Sequence, residues 1–423
     1  MAELLAVKGG KPVMAPGTVK PWPPIDDTDR KMVLDSLEGE NSHAFGPNCI
    51  AFQEEFAAWN GNKHAITTNS GTAALHMGLV GCGCGCGDEV IVPAYSWSSS
   101  ATCVMQHNCI PVFVDIEFDS MNIAVDKIEA AITPKTKAII VVHLHGLAAD
   151  MDRIMAIAAK HGIKVVEDAC QAHGAKYRGK KVGTLGHCGA FSFNQNKCLC
   201  AGEGGMFVTD DVEILERAKS LWSFGEATSP TETRDYHVYA MGWMYRNNDL
   251  TAAWGRAQLK KLDRHLAIQK QNAARLTESI KGVPGLILPT APAGYEHNWY
   301  NYTIRFDMEA LGHAHDRRAF RDKIIGAMRA EGLDTGIWQS FILPAMTVFQ
   351  AKNAYGHRCP WSCAHAESVD YSVDRFPVAT KHLETHTGMT YPLRAPNGPE
   401  VAELAAKAIG KVMANLDQLE GDY

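Results

Sequence analysis

The chain is 423 residues long, 46% hydrophobic, with a formal net charge of −6 and a pI near 6.3. At roughly 150 residues per domain this length gives two or three domains with a large core, and the acidic balance argues against nucleic acid, which needs a basic face. No apolar run approaches the roughly 20 residues of a membrane-spanning helix, and residues 1–16 carry no apolar signal core, so a cytoplasmic protein with no membrane partner is expected.

From Lys63 to Asp210, short β-rich runs alternate with helical patterns. The runs are His64–Thr68, Glu89–Pro93, Ile110–Asp115, Ala138–His143, Lys164–Glu167, Gly189–Phe193 and Gly205–Thr209. Several are continuously apolar, as strands covered on both faces should be. Between them, Ile154, Ile157 and Ala158 keep helical spacing before His161-Gly162. The alternation predicts an α/β domain with a mostly parallel sheet, whose site lies at the carboxyl ends of the strands. After Ala252 a long helical pattern follows through Trp254, Ala257, Leu259, Leu262 and Leu266, suited to a connection between domains. Beyond about Gly282, strand signals (Trp299–Phe306) mix with helices (Arg317–Gly332, Pro399–Leu419) and predict a smaller α+β domain. The expected division is a large domain over 1–265, including the N-terminal segment, and a small one over 266–423.

Twelve cysteines raise metal and redox readings. Gly81–Gly87 alternates glycine with Cys82, Cys84 and Cys86, which could offer soft ligands to a metal. Equally, cysteine there is a small side chain in a loop leading into the Glu89–Pro93 run. Cys359 and Cys363 flank Pro360-Trp361-Ser362 and are either redox-active or free thiols in a loop. Reduced thiols suit the cytosol. His143 and His145 alternate at a strand end, where packing competes with metal binding, and no carboxylate is evident nearby in the sequence.

Three strand ends carry unusual polar residues. Lys164–Val166 ends in Glu167-Asp168, and a carboxylate directly after a buried strand is costly without a positive partner. Gly189–Phe193 leads into Asn194-Gln195-Asn196-Lys197 ahead of Gly202-Glu203-Gly204-Gly205. Thr67–Thr72 turns a strand into a helix, with Gly71 allowing close backbone approach and the helix N-terminus offering N–H groups to an anion. Alone, each is an ordinary cap or loop residue. Together they provide what pyridoxal 5'-phosphate (PLP) requires: a phosphate cradle, a carboxylate for the pyridine nitrogen and an amine for the aldehyde.

Longer stretches carry a resemblance: SGTAALHMGL (Ser70–Leu79), GDEVIVPAYSW (Gly87–Trp97), HLHGLAADMD (His143–Asp152), VVEDACQAHGA (Val165–Ala175) and SFNQNKCLCAGEGG (Ser192–Gly205). With these the chain resembles the DegT/DnrJ/EryC1/StrS aminotransferases, PLP enzymes of fold type I that act on keto-sugars and keto-cyclitols. The resemblance runs from about Gly46 to Leu262 and continues more weakly to Leu393. It implies a large, mostly parallel seven-stranded α/β domain with a smaller C-terminal α+β domain. It further implies that Lys197 forms the Schiff base and shuttles the proton, and that Asp168 pairs with the pyridinium. Gln171 would contact the ring oxygen, and Ser70, Gly71, Thr72 and Ser192 would hold the phosphate. Trp97 would stack on the ring. Relatives read Gly-x-Asn-Tyr-Arg-Met where this chain has Gly242-Trp243-Met244-Tyr245-Arg246-Asn247, and their asparagine reaches the phosphate of the neighbouring subunit. Met244 cannot donate a hydrogen bond, so Arg246 or Asn248 is the expected replacement in a homodimer with active sites at its interface.

The implied reaction is a ping-pong transfer with pyridoxamine phosphate as its intermediate, from a small-molecule amino donor, usually glutamate or glutamine, to a keto-sugar or keto-cyclitol. His297, Trp299, Tyr300 and Trp338 are the expected substrate contacts. Their aromatic character leaves open a broader amine–ketone transaminase. A PLP lyase or desulfurase would need a nucleophilic cysteine such as Cys359 or Cys363, and a Cys/His metal-binding protein would rest on the Cys-Gly run. No metal site is expected.

Overall fold

The structure, a computed structural model, describes residues 3–39, 46–226 and 236–420. Its centre is a seven-stranded sheet. In chain order the strands are β1 (His64–Thr68), β2 (Glu89–Pro93), β3 (Ile110–Val114), β4 (Thr136–Val142), β5 (Lys164–Asp168), β8 (Cys188–Ser192) and β9 (Gly205–Thr209). A two-residue hairpin, β6 (Lys176–Tyr177) and β7 (Lys180–Lys181), lies between β5 and β8. The sheet order is β1-β9-β8-β5-β4-β2-β3. Pairs β2–β3, β2–β4, β4–β5 and β5–β8 are parallel. Only β9 runs against its neighbours, β1 and β8. The expected mostly parallel sheet is therefore present, with its strands within two residues of the predicted runs.

Continuous apolar runs form these strands because both faces are covered. Ile140 and Val142 of β4 pack with Val90, Val92 and Val166 on one face. Ile139 and Val141 pack with Ile91, Val165 and Val208 on the other. Cys82 and Cys84 are buried in the first of these cores while Cys86 is exposed, so the three thiols of the Cys-Gly run face different surroundings.

The helix Asp249–Ile280 has 32 residues, about 48 Å at 1.5 Å per residue. It supplies Ala252, Leu259, Leu262 and, just past its middle, Leu266 to the core behind the large sheet. Its second half supplies Ala273, Leu276 and Ile280 to a further core. That core lies against a smaller antiparallel sheet of β10 (Leu286–Ile287), β12 (Tyr302–Phe306) and β13 (His386–Met389) and includes Phe320, Ile324 and Ile409. β11 (Tyr295–Glu296) pairs instead with β6. Leu5 and Met14 pack into the C-terminal core. Ile342, Phe349, Trp361 and Leu383 pack onto the large sheet. No helix among the described residues is long and apolar enough to cross a membrane.

One predicted strand begins later than its pattern suggests. Trp299–Phe306 reads as continuous β, yet the strand starts at Tyr302, and Trp299 has a φ of 61°. Side-chain bonds from Asn298 outcompete the ladder there. Its amide donates to Gln171 O and His173 O, both at 3.0 Å, and its oxygen accepts from Tyr300 N at 2.8 Å.

Candidate active site

The carboxyl ends of β5 and β8 and the start of the helix Gly71–Gly81 converge on one cavity of about 370 Å3. Its lining includes Ser70, Gly71, Thr72, Trp97, Asp168, Gln171, Ser192, Lys197, Tyr300 and Trp338. Ten of the residues singled out from the sequence are thereby brought together.

Asp168 closes β5. Its Oδ2 accepts from Ser100 Oγ at 2.7 Å and its Oδ1 from Cys170 N at 3.2 Å. Ser100 is in turn 2.7 Å from Ser96 Oγ. The carboxylate is buried, so these donors supply the stabilisation that water would otherwise give. Gln171 is also buried, and its carbonyl oxygen accepts from His145 N at 2.9 Å. That bond leaves the amide nitrogen as the end able to donate into the cavity.

Opposite, Ser70 caps the helix Gly71–Gly81 by accepting from Ala73 N at 3.1 Å. Gly71 belongs here for space alone, since a Cβ would meet Cys170 Sγ and Ser192 Cβ, each at 2.8 Å. Thr72 Oγ1 donates to Ser99 Oγ at 2.8 Å. The helix N-terminus, two hydroxyls and a position without a side chain form a cradle of the kind that receives a phosphate.

Lys197 occupies the loop after β8, where its N–H donates to Asn194 O at 2.9 Å. Its Nζ is 3.4 Å from Tyr300 Oη and 4.8 Å from the centroid of that ring. Burial works against its charge, but Tyr300, Cys170 and Asp168 together outweigh it and hold the ammonium above the ordinary lysine value. A carboxylate, an amine and an anion cradle around one cavity match the donor set that PLP needs.

Trp97 is 53% exposed and tilts against Trp338, with centroids 6.2 Å apart, so the two indoles form an aromatic wall. His297 and Trp299 do not line the cavity. They stack on each other with centroids 4.0 Å apart, and His297 Nδ1 accepts from Trp299 N. Within a single chain, Arg246 and Asn248 also lie outside the lining. Arg246 bridges to Thr68 through its backbone, and its guanidinium is 5.1 Å from the Phe224 ring. Asn248 caps the helix Asp249–Ile280 by accepting from Thr251 N.

Sequence reasoning missed Ser100, although a Ser98-Ser99-Ser100 run after Trp97 was the available signal. It marked Asn194, Gln195, Asn196 and Glu203 as polar loop residues around Lys197 without assigning them to the site, and all four line the cavity. At the His pair one expectation needs correcting. A carboxylate is near after all, because His143 Nε2 donates to Glu167 Oε2 at 2.8 Å while His143 Nδ1 accepts from Ala149 N. Glu167 also accepts from Gly183, Leu185 and Gly186 N–H groups, so the pair is packed into backbone.

A family model described as the DegT/DnrJ/EryC1/StrS aminotransferase family matches residues 23–379. GDP-perosamine synthase of Caulobacter vibrioides is 37% identical over 369 residues, which covers 87% of this chain and 93% of that protein. L-glutamine:2-deoxy-scyllo-inosose aminotransferase of Streptomyces lividus is 36% identical over 329 residues, with 74% and 76% covered. The crystal structure of 3-amino-5-hydroxybenzoic acid (AHBA) synthase has a TM-score of 0.81 and 30% identity, covering 94% of this chain and 98% of that one.

Proposed function

The chain belongs to the DegT/DnrJ/EryC1/StrS aminotransferase family, and on that premise we propose that it binds PLP through Lys197 and transfers an amino group to a keto-sugar or keto-cyclitol. The observation that carries this reading is the placement of Lys197 Nζ, the Asp168 carboxylate and the Gly71 helix N-terminus around one cavity. When bound, PLP supplies the carbonyl that takes up an amine and the conjugated ring that accepts the electrons of a carbanion.

The chain's own residues divide the remaining work. Ser70, Gly71, Thr72 and Ser192 hold the phosphate end. Asp168 faces the ring nitrogen and keeps its proton there, oriented by Ser100. Gln171 donates to the ring oxygen. Trp97 covers the ring and limits access of water. Lys197 Nζ would hold the cofactor and, once an incoming amine has displaced it, would move the proton from the amine-bearing carbon of the substrate to the cofactor.

On this reading transfer follows a ping-pong order, with donor and acceptor using the same cavity in turn. The donor is glutamate, glutamine or another amine, and the names of the similar proteins support a sugar or cyclitol acceptor. A second reading, a broader amine–ketone transaminase, is favoured by the Trp97–Trp338 wall. The active unit is a C2 homodimer in which Arg246 or Asn248 approaches the partner's phosphate.

Lys197→Ala tests the reading. The variant should keep the wild-type circular dichroism spectrum and lose amino transfer, and borohydride reduction of the wild-type holoenzyme should fix the cofactor to the Lys197 peptide. Substantial turnover by the variant overturns the assignment.

A further inference from the structure

The two peptide carbonyls that flank the Cα of Lys197 are held by residues from opposite ends of the chain. Trp22 Nε1 donates to Lys197 O at 3.1 Å. Arg394 Nη1 donates to Asn196 O at 2.8 Å. The two clamping residues also touch, with the Arg394 guanidinium carbon 4.9 Å from the Trp22 ring centroid. Trp22 precedes the helix Asp27–Glu38, and Arg394 follows the strand β13 (His386–Met389), so neither belongs to the loop it holds.

Arg394 is fully buried. Its remaining contacts are Nη2 to Tyr300 O at 3.4 Å and the rings of Tyr300 and Tyr391 at 5.3 and 5.7 Å. Its partners are thus two carbonyl oxygens and three aromatic faces, with no carboxylate among them, and its Nε has no hydrogen-bond partner among the described residues. A cation in such a place is costly to bury. Packing alone would be served as well by an apolar side chain. The planar guanidinium does what an apolar group cannot. It donates in two directions while stacking on rings. Both its carbonyl partners belong to the Lys197 microenvironment: Asn196 O starts the peptide leading into Lys197, and Tyr300 carries the ring and hydroxyl that face Nζ.

We propose that Arg394, seated on Trp22, is a positioning residue that fixes the backbone of Lys197 and the Tyr300 ring, and thereby sets where Nζ sits in the cavity. The inference rests on the reading of Lys197 as the reactive amine. Pinning both flanking carbonyls removes the peptide rotations that would otherwise swing Nζ away from the cofactor aldehyde. Because the segments come from both ends of the chain, Nζ reaches its working position only when the N-terminal segment and the C-terminal region are both seated.

Two variants test it. Trp22→Phe keeps a ring beneath the guanidinium but removes the N–H that holds Lys197 O. Arg394→Lys keeps the charge but removes the planar fork. Reductive methylation of the full chain freed of PLP, read at Lys197 by mass spectrometry across pH, reports on Nζ without using activity. The holoenzyme gives kcat, KM and the pH dependence of the absorbance of bound PLP. Both variants should keep the wild-type melting temperature to within a few degrees. Both should shift the midpoint of Lys197 methylation and that of the PLP absorbance, and lower kcat about tenfold or more with little change in KM. If Arg394→Lys fails to fold, Trp22→Phe decides alone. Folded variants with wild-type midpoints and kcat overturn the positioning role. A wild-type holoenzyme in which PLP leaves Lys197 open to methylation overturns the Lys197 reading itself, a distinct result.

Discussion

Lys197 Nζ and Tyr300 Oη are 3.4 Å apart, and the same Nζ lies 4.8 Å from the centroid of the Tyr300 ring. The amine therefore meets both the hydroxyl and the ring of one side chain. Tyr300→Phe keeps the ring and removes the hydroxyl. Burial opposes the Lys197 charge and the Tyr300 contact supports it, so the variant should lower the proton affinity of Nζ. The pH midpoint of Lys197 methylation in the cofactor-free chain should move to lower pH. If the hydroxyl also relays the proton, kcat should fall by on the order of a hundredfold. A midpoint that stays put or rises contradicts the stated balance.

Asp168 is reached by two donors, Ser100 Oγ and Cys170 N. On the proposed reading Asp168→Asn removes the charge that would hold the ring proton and should lower kcat about a hundredfold or more, the scale on which one strong electrostatic stabiliser acts. Ser100→Ala should cost less, because the carboxylate stays and loses only an orienting bond. Steady-state kinetics on both variants check the order. Equal losses would mean that Ser100 does more than orient.

Gly71→Ala probes the phosphate cradle. The new Cβ would meet Cys170 Sγ and Ser192 Cβ, each at 2.8 Å, and the Phe191 carbonyl oxygen at 3.3 Å. Overpacking of this kind costs roughly 1–3 kcal/mol. The crowding falls on the side chain that is to hold the phosphate, so PLP affinity should drop tenfold or more while the apo chain still folds. Fluorescence titration with PLP and a melting curve separate the two effects. Unchanged affinity would move the phosphate away from Gly71.

How much of this site is legible in the sequence follows from how local each signal is. Asp168, Lys197 and the Ser70–Thr72 cradle sit at strand ends or a helix start, so composition and order along the chain mark them. Arg394 reaches the site only because distant segments converge, and no local pattern encodes that, whereas Ser100 is marked by the serine run after Trp97 but bonds Asp168 only once the sheet has formed. The His143–Glu167 bond depends on sheet register: β4 and β5 pair Val141 with Glu167 and Val142 with Asp168, which brings His143 alongside. His297 and Trp299 look like pocket residues because they are aromatic and polar in alternation. The bonds of Asn298 turn that stretch onto itself, and only Tyr300 reaches the cavity.

Acid should destabilise the fold through buried neutral histidines. Burial pushes His386 down to about 4, and His297 and His173 to about 3. Unfolded histidine titrates near 6.5. Below that pH the unfolded chain binds protons that the folded chain refuses, so stability is complete above about pH 6.5 and falls as pH drops toward the folded values. Each such histidine contributes a slope of about 1.4 kcal/mol per pH unit in that window. Urea unfolding of the cofactor-free chain at pH 7 and pH 5 measures it, and equal stability at both would refute the account.

Assembly is the last expectation. Tyr236, Val238, Tyr239, Met241 and Met244 are each more than half exposed, the largest at 73%. A run of large apolar side chains held in water is characteristic of a surface that another protein covers. The stretch leads into Met244–Arg246, whose backbone pairs with Thr68 and Asn69 just ahead of the Ser70 cradle. A two-fold dimer through this face would bring the segment of one subunit to the phosphate end of the other. A guanidinium binds phosphate oxygens through paired, charge-assisted bonds, so Arg246 suits the contact that Met244 cannot make. Arg246→Ala should weaken PLP binding tenfold or more. Asn248→Ala also removes the cap on the helix Asp249–Ile280, so it should cost about 1 kcal/mol of stability whatever its role toward phosphate. Light scattering on a fully active monomer would refute the dimer, and PLP affinity untouched by both substitutions would refute the phosphate contact while the dimer stands.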